Sequence, residues 1–494
     1  MKKEQKENAV SKLNDIAVLA ERRGFFFPSC EIYSDAPAGF IDYGPNGVAL
    51  KNKLIDAWRQ FLLKKDSMIE IDGSQIMSKS VFTASGHLTS FTDPLVECSK
   101  CKSMFRADKL IEEKTGKIIP EKLKNEEYDK LIEKNKISCL KCGSKLGKTK
   151  RWNMMFQVGI GPEQREAYLR PETCQSIFVD FPRLFATMRI KLPAAIAQLG
   201  KSFRNEVSPR QSLLRSREFT QAEVEVFFNP KKTEISKFKE IENYKLRIQE
   251  NEKISEMAAK DAVKKKIVSS QLIAYYLALM QQFGEKVGIP KENIRFRKLS
   301  DDEKAFYAKE AFDFEILTSL GWIELAACNN RGDYDLCGHA KTSCKSLEIM
   351  DDNEKVLPWI FELSMGIDRL LYIVMDLAFE KEIVKDEERA VLKLPTNIAP
   401  IHVAIFPLVN KDGLPEIAQK IHKELKENFD VFYDFSGSIG KMYRRQDEIG
   451  TPFCITVDYQ TKDDKTVTVR ERDSMKQKRV KIDELKEVIE KALK

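Results

Sequence analysis

Ala194-Ala195-Ile196-Ala197-Gln198-Leu199-Gly200-Lys201-Ser202-Phe203-Arg204-Asn205-Glu206 and, after a loop, Glu218-Phe219-Thr220-Gln221-Ala222-Glu223-Val224-Glu225-Val226-Phe227-Phe228 alternate in polarity with a period of two. That is the period of strands with one packed face. Ile196, Gln198, Gly200, Ser202, Arg204 and Glu206 share one side of the first strand, and Ala195, Ala197, Leu199 and Phe203 mostly fill the other. In the second, Phe219, Gln221, Glu223 and Glu225 point one way and Ala222, Val224, Val226 and Phe228 the other. The loop between them carries Ser208-Pro209-Arg210 and Arg215. The pair reads as a long antiparallel hairpin whose polar face bears Arg204, Glu206, Phe219 and Glu223. Such a face suits a nucleotide and a small cation. Arginine grips phosphate bidentately, phenylalanine stacks on a base and an acid holds an ammonium group. A solvated sheet face with chance ion pairs fits the same pattern.

Outward from the hairpin, Trp359-Ile360-Phe361-Glu362-Leu363-Ser364 reads as another strand. Gly366-Ile367-Asp368-Arg369 then opens a helix whose Ile367, Leu370, Leu371 and Val374 face inward. A helix N-terminus favours anions, although an ordinary strand-to-helix turn has the same look. Residues 10–23 are expected to be helical, with Val10, Leu13, Ile16, Ala17 and Ala20 on one face. Pro45 sits near the start of a second helix, striped by Val48, Leu54, Ile55, Trp58 and Phe61 broadly enough for a core or a subunit interface. Residues 231–285 are highly charged and helical in pattern, which reads as an insertion packed against the body. From Ile401 onward, strands at 402–406, 431–433 and 453–457 alternate with helices at 414–429 and 438–449. That rhythm indicates an α/β domain with a largely parallel sheet.

The 494 residues correspond to about three domains at ordinary domain sizes. No apolar run approaches the ~18 residues of a membrane span. Met1-Lys2-Lys3-Glu4-Gln5 has no apolar stretch behind it, unlike a signal peptide, so a cytoplasmic protein without a membrane partner is expected. The net charge of +7 permits a nucleic-acid partner without demanding one. Of ten cysteines, Cys98, Cys101, Cys139 and Cys142 form two CxxC pairs, with residues 102–138 between them read as a loop. Paired knuckles of this kind hold structural Zn²⁺ through four thiolates, leaving no open position for catalysis. Four free thiols are the other reading.

Together these residues resemble a known family. Phe203-Arg204-Asn205-Glu206 looks like motif 2 of the class II aminoacyl-tRNA synthetases, and Gly366-Ile367-Asp368-Arg369 like their motif 3. Tyr43-Gly44-Pro45, Ala84-Ser85-Gly86-His87, Phe91-Thr92-Asp93-Pro94-Leu95-Val96, Phe105-Arg106-Ala107-Asp108, Leu169-Arg170-Pro171-Glu172-Thr173, Arg217-Glu218-Phe219, Gly321-Trp322-Ile323-Glu324-Leu325 and Tyr334-Asp335-Leu336 follow the order seen in glycyl-tRNA synthetases. The resemblance, over about residues 20 to 490, is to the homodimeric type of archaea, eukaryotes and some bacteria. It implies an α+β fold: a class II antiparallel sheet flanked by helices, with insertions, and a C-terminal α/β anticodon-binding domain. The implied divisions are 1–97 (motif 1 region), 98–150 (the Cys-pair insertion), 151–230 (motif 2), 231–300 (a charged helical insertion), 301–394 (motif 3) and 395–494 (anticodon-binding).

The resemblance also implies roles. ATP, with Mg²⁺, would be held by Arg204, Asn205, Glu206, Leu214, Arg215, Phe219, Glu324, Leu325, Gly366 and Arg369. Among these, Arg204 would take the α-phosphate, Arg369 the γ-phosphate, and Phe219 would stack on adenine. Glycine would be held by Glu172, Glu223 and Glu362 round its ammonium, Ser364 beside the α-carbon and Arg331 at the carboxylate, with Arg106 and Phe219 as further pocket residues. His87 would lie near the tRNA acceptor end, while His339, His402 and His422 read as structural or surface residues. Lys441, Arg444, Arg445, Arg470 and Arg472 could contact RNA, with a solvated basic face as the other reading. Leu363 replaces the family's usual proline, Gly332 its Ser or Thr, and Cys174 and Ser176 its Ala and Gly. Met77-Ser78-Lys79-Ser80 resembles the class I signature loop but lacks that class's early partner motif, and reads as chance. Another class II synthetase, or a non-catalytic nucleic-acid-binding relative, is the competing assignment.

Overall fold

The computed structural model describes residues 2–493 apart from 118, 121, 122, 210, 211, 306 and 385, with side chains from Ser11 onward; Arg210 and the side chain of Val10 lie outside the described residues. The main sheet has β1 (Ile69–Ile71), β2 (Ala194–Phe203), β3 (Glu218–Phe228), β4 (Lys245–Glu250), β5 (Lys253–Ala258), β6 (Ile294–Lys298), β7 (Glu310–Thr318), β8 (Gly321–Gly332) and β9 (Trp359–Gly366). Their order across the sheet is β5-β4-β6-β7-β8-β9-β3-β2-β1, antiparallel except for β4 with β6 and β1 with β2. The decisive hairpin is β2–β3, in a register that places Gln198 opposite Glu223, Gly200 opposite Gln221 and Ser202 opposite Phe219.

One face of this sheet carries the principal core. Ala195, Ala197, Ala222, Val224 and Val226 pack with helices α1 (Lys2–Arg22), α2 (Pro45–Trp58), α4 (Gln271–Lys286) and α5 (Ile367–Ala378). Helix α5 is apolar nearly all round because it lies at the centre: Ile367, Leu370, Leu371, Ile373 and Met375 are fully buried. Each such side chain contributes about 1.5–3 kcal/mol. Most of the α2 stripe is spent here too: Leu54, Ile55 and Trp58 are buried in this core, while Val48 at its start stays exposed. The turn into α2 needs glycine, because a Cβ on Gly47 would lie 1.7 Å from the Phe25 carbonyl oxygen. On the opposite sheet face, helix α3 (Cys174–Met188) stacks Phe181 on Phe227 at 3.9 Å and covers Ile196 and Ile360. That helix closes one end of the polar face of the hairpin and leaves the other end open.

Three sequence expectations need correction. Residues 231–300 are not a helical insertion: β4, β5 and β6 extend the main sheet to its far edge, and only α4 and a short helix at 259–264 are α-helical there among the described residues. Lys245-Leu246-Arg247-Ile248 alternates strictly, with Leu246 and Ile248 fully buried, but the surrounding charge masks the period. The middle of 98–150 is likewise not a loop. Helices Ala107–Thr115 and Asn125–Lys134 bury Leu110, Ile111, Tyr128 and Ile132 in a small core of their own. In the C-terminal region, β11 (Val431–Tyr433), β10 (Val403–Pro407) and β12 (Phe453–Val457) are parallel, but β13 (Thr466–Glu471) and β14 (Gln477–Lys481) add antiparallel strands beyond them.

Candidate active site

A cavity of about 250 Å³ opens on the polar face of β3, β8 and β9. Of the residues singled out by sequence, Glu172, Arg204, Glu206, Leu214, Arg215, Phe219, Glu324, Leu325, Glu362, Ser364, Gly366 and Arg369 line it. Its open end is cationic and aromatic. The Arg204 guanidinium lies between Phe91 and Phe219, 5.4 and 5.3 Å from their ring centres, and donates to the Pro171 carbonyl at 3.1 Å. Two aromatic faces fix the plane of the fork without using up its N–H groups. Arg369, in the first turn of α5, donates to the Glu324 carbonyl and lies 3.8 Å from its carboxylate. Arg215 is held across the rim by Glu206, at 2.6 and 2.8 Å.

The closed end is acidic and buried: Glu172 and Glu362 line it, and Glu223 lies behind Gln221 and Ser364. Glu223 is fully buried and accepts from Thr173 at 2.6 Å, Gln221 at 2.7 Å and Ser364 at 2.7 Å. Glu172 accepts from Gln175 at 2.8 Å and Cys174 at 3.0 Å, with His87 Nε2 at 3.4 Å. Glu362 accepts from Arg331 at 2.9 Å and Asn329 at 2.8 Å. Burial pushes Glu362 up to about 7 and, with the neighbouring Glu172 charge, raises Glu223. Burial also works to raise Glu172, but His87 and Arg331 outweigh it and hold that acid well below the ordinary carboxylate range. A solvated face with chance pairs is therefore excluded: these carboxylates are desolvated and individually hydrogen-bonded. Buried acids with different environments can fix a small cation and discriminate by size.

Four residues are placed differently from expectation. Arg331, 1% exposed, gives its fork to Asp335 at 2.6 and 2.9 Å and another N–H to Glu362, so it anchors an acid first. Its Nη2 is 4.0 Å from Glu172. Arg106 lies outside the cavity lining, paired with Asp93 at 3.1 Å and Asp108 at 2.6 Å. Asn205 also lies outside the lining; its backbone N–H donates to Met154 at 2.7 Å and its carbonyl accepts from Trp152 Nε1 at 2.9 Å. His87 touches the acid cluster itself. Among residues the sequence left without a role, Gln221 bridges Glu223 and Ser364, and Tyr307 lies under the Arg331 guanidinium at 4.2 Å. Asp368, from the motif 3 quartet, accepts from Tyr43, Lys51 and the Thr220 N–H and ties α5 to β3. Its place inside that quartet was the available signal.

The four cysteines of the insertion converge. Cys98 and Cys142 sulfurs are 3.5 Å apart, Cys101 and Cys139 3.6 Å, and all four lie within 4.8 Å of one another. A tetrahedral zinc at ~2.3 Å from each sulfur needs edges of about 3.8 Å, so the set fits that ion. Both knuckles turn through left-handed backbone, at Lys102 and Gly143, and close with matching bonds from Cys98 N to Ser103 O and Cys139 N to Ser144 O. In the C-terminal domain, Arg470 and Arg472 are buried and structural: Arg470 pairs with Asp447, and Arg472 donates to the carbonyls of Gly450 and Leu394. Lys441 is exposed and Arg444 and Arg445 are half-buried. His339 is buried on Gln175, and His402 lies against Lys53.

Residues 156–377 match the family "tRNA synthetase class II core domain (G, H, P, S and T)", and residues 402–492 match "Anticodon binding domain". A Giardia lamblia prolyl-tRNA synthetase structure in complex with prolyl-adenylate shares the fold, with a TM-score of 0.62 at 16% identity, covering 98% of this chain and 79% of that one. A glycine–tRNA ligase of Methanothrix thermoacetophila is 38% identical over 97% of both chains. That of Methanocaldococcus jannaschii is 39% identical over 96% of this chain and 98% of its own. With its acid-lined cavity on a class II sheet and relatives of that identity over nearly its whole length, the chain belongs to the glycine–tRNA ligase family.

Proposed function

We propose that this chain activates glycine with ATP, releasing pyrophosphate, and passes the glycyl group from the adenylate to the 3′ end of tRNA(Gly). The observation that carries this reading is the pairing of Glu172 and Glu362 at the closed end of a cavity, backed by the buried Glu223 that holds the lining residues Gln221 and Ser364, with Arg204, Phe219 and Arg369 at the open end. Glycine has no side chain to grip. Acids round its ammonium fix it, and Ser364, held by Glu223 and Gln221, walls the α-carbon so that any β-carbon would clash. Arg331 keeps Glu362 oriented from behind. No protein nucleophile is required: the glycine carboxylate attacks the α-phosphate, and Arg204 stabilises the charge that develops there. Phe219 stacks on adenine, with Leu214 and Leu325 beside it. Arg215, braced by Glu206, and Arg369 take the outer phosphates, and Glu324 would hold Mg²⁺, which neutralises the phosphate oxygens when bound. Arg106 and Asn205 act at one remove by bracing the strands behind the rim.

The same reading makes the protein a cytoplasmic homodimer, on the strength of the family resemblance. Among the described residues no helix is long and apolar enough to cross a membrane. The Cys98, Cys101, Cys139 and Cys142 set would hold a structural Zn²⁺, and the 402–492 domain would read the anticodon arm, with Lys441, Arg444 and Arg445 at its surface. Pyrophosphate exchange into ATP, run separately with each standard amino acid, tests the assignment. Exchange with glycine and not with alanine or serine is expected. Preferential exchange with another amino acid would overturn the glycine pocket and keep the class, and no exchange with any, in the presence of tRNA and Zn²⁺, would leave a non-catalytic relative.

A further inference from the structure

The acid cluster holds one carboxyl that the reading above does not use. Glu225 lies one residue pair further along the same face of β3, directly across from Glu362 on β9 and from Ile196 on β2. It is fully buried, and neither carboxyl oxygen meets a hydrogen-bond donor among the described residues. Its neighbours Glu223 and Glu362 have three and two donors respectively. An ionised carboxylate without a partner in such surroundings costs several kcal/mol, whereas a protonated one costs far less.

The charge balance of the pocket has the same sense. Five buried carboxyl groups meet here: Glu172 from the segment before α3, Glu223 and Glu225 from β3, Glu362 from β9, and Asp335 from the helix after β8. Facing them are two buried guanidiniums, Arg331 and Arg170, and the His87 ring; Arg170 donates to the carbonyls of Lys201 and Gly73, and to none of the acids. The Cys174 and Cys328 thiols and the Tyr307 phenol also face the cluster and are neutral, all raised chiefly by burial. Even with His87 charged, the acids outnumber the cations before any substrate arrives.

We propose that Glu225 carries a proton in the empty pocket and gives it up to solvent when the glycine ammonium arrives, so that glycine binds by exchanging one cation for another. This rests on the glycine reading above. The ammonium restores the balance that the proton had supplied, and Glu225 then supports it from behind Glu223 and Glu362 without touching it. Burial first, and the Glu362 charge second, hold Glu225 well above the ordinary carboxylate range, in keeping with this. Because the acids are coupled, the exchange appears as one macroscopic titration of the cluster.

Calorimetry of glycine binding to the full-length protein at pH 7, in two buffers of different ionisation enthalpy, reads the exchange directly. Release of about one proton per site is expected, and glycine KM in pyrophosphate exchange should fall by up to about tenfold per pH unit between pH 6 and 8, with ATP KM nearly constant. Glu225→Gln, which is always neutral, should abolish the release and flatten the profile, so that its glycine KM deficit grows as pH rises. Glu225→Asp, which keeps a carboxyl, should restore both the release and the slope. Glycine that binds and exchanges without releasing a proton would overturn this proposal alone, as would a Glu225→Gln protein with undiminished release. Absence of any glycine binding or exchange in the wild type would overturn the glycine reading with it.

Discussion

Replacing Arg204 by alanine is the sharpest test of how the open end of the cavity works. Its guanidinium contributes little to holding the fold. Among the described residues it makes one hydrogen bond, to the Pro171 carbonyl, and two cation–aromatic contacts, with Phe91 and Phe219. Together these are worth roughly 2–3 kcal/mol. The backbone of residue 204 stays pinned whatever the side chain, because its N–H donates to the Arg217 carbonyl at 2.8 Å. The chemical loss is larger. A positioned donor aimed at developing charge in a dry site is worth about 3–4 kcal/mol, or ~10²–10³-fold in rate. Arg204→Ala should therefore lower the rate of glycine-dependent pyrophosphate exchange by that factor, with glycine KM nearly unchanged and a thermal midpoint within a few degrees of wild type. Arg204→Lys keeps the charge but loses the flat fork that two rings orient, and should recover only part of the rate. An Arg204→Ala enzyme within about fivefold of wild type would refute the assignment of Arg204 to the α-phosphate.

Three further outcomes are expected. Gly200→Ala should destabilise the hairpin by about 1–3 kcal/mol, because the new Cβ would lie 2.1 Å from the Arg170 Nη2, whose guanidinium is pinned by two carbonyls; an unchanged urea midpoint would contradict this. Asp447→Asn should loosen the C-terminal domain by about 3–5 kcal/mol, since it weakens the buried acid that Arg389 and Arg470 share, and domain-selective proteolysis at rates equal to wild type would count against it. Protein purified without chelator should contain one zinc per chain, lost in Cys142→Ser with an early melting transition of the insertion, while exchange activity persists because four thiolates leave no catalytic position; a metal-free wild type would remove the zinc assignment.

The hairpin was legible because a period of two survives any context: Ala195, Ala197, Ala222, Val224 and Val226 had to share a face. What covers the other face was not legible. Glu223 and Glu225 look like surface acids in a string, and only helix α3 packing on Phe227 and Ile196 makes them buried. The same limit hid β4, where Leu246 and Ile248 alternate among lysines and glutamates whose bulk charge suggested a solvated helix. It also made Arg470 and Arg472 look like RNA contacts, although Asp447 and two backbone carbonyls consume them. Arg331 shows the converse. Its position was legible from Tyr334-Asp335-Leu336 beside it, but its partners were not, since a helix turn brings Asp335 back onto it.

The cysteine module leaves and re-enters the body at one place. Strands Thr92–Glu97 and Lys150–Asn153 lie side by side, with Pro94 opposite Arg151 and Leu95 opposite Lys150, and Cys98 bridges to Leu146. The exit and return of the chain are thus stapled together before the first cysteine pair begins, and Trp152 on the returning strand reaches the Asn205 carbonyl beside the cavity. A segment closed at its neck in this way behaves as a cassette. Its interior can lengthen, shorten or be exchanged for a foreign hairpin or reporter domain without shifting the loop between β2 and β3, while a one-residue slip in the Pro94–Arg151 pairing would move Trp152 to the wrong face and unseat that loop.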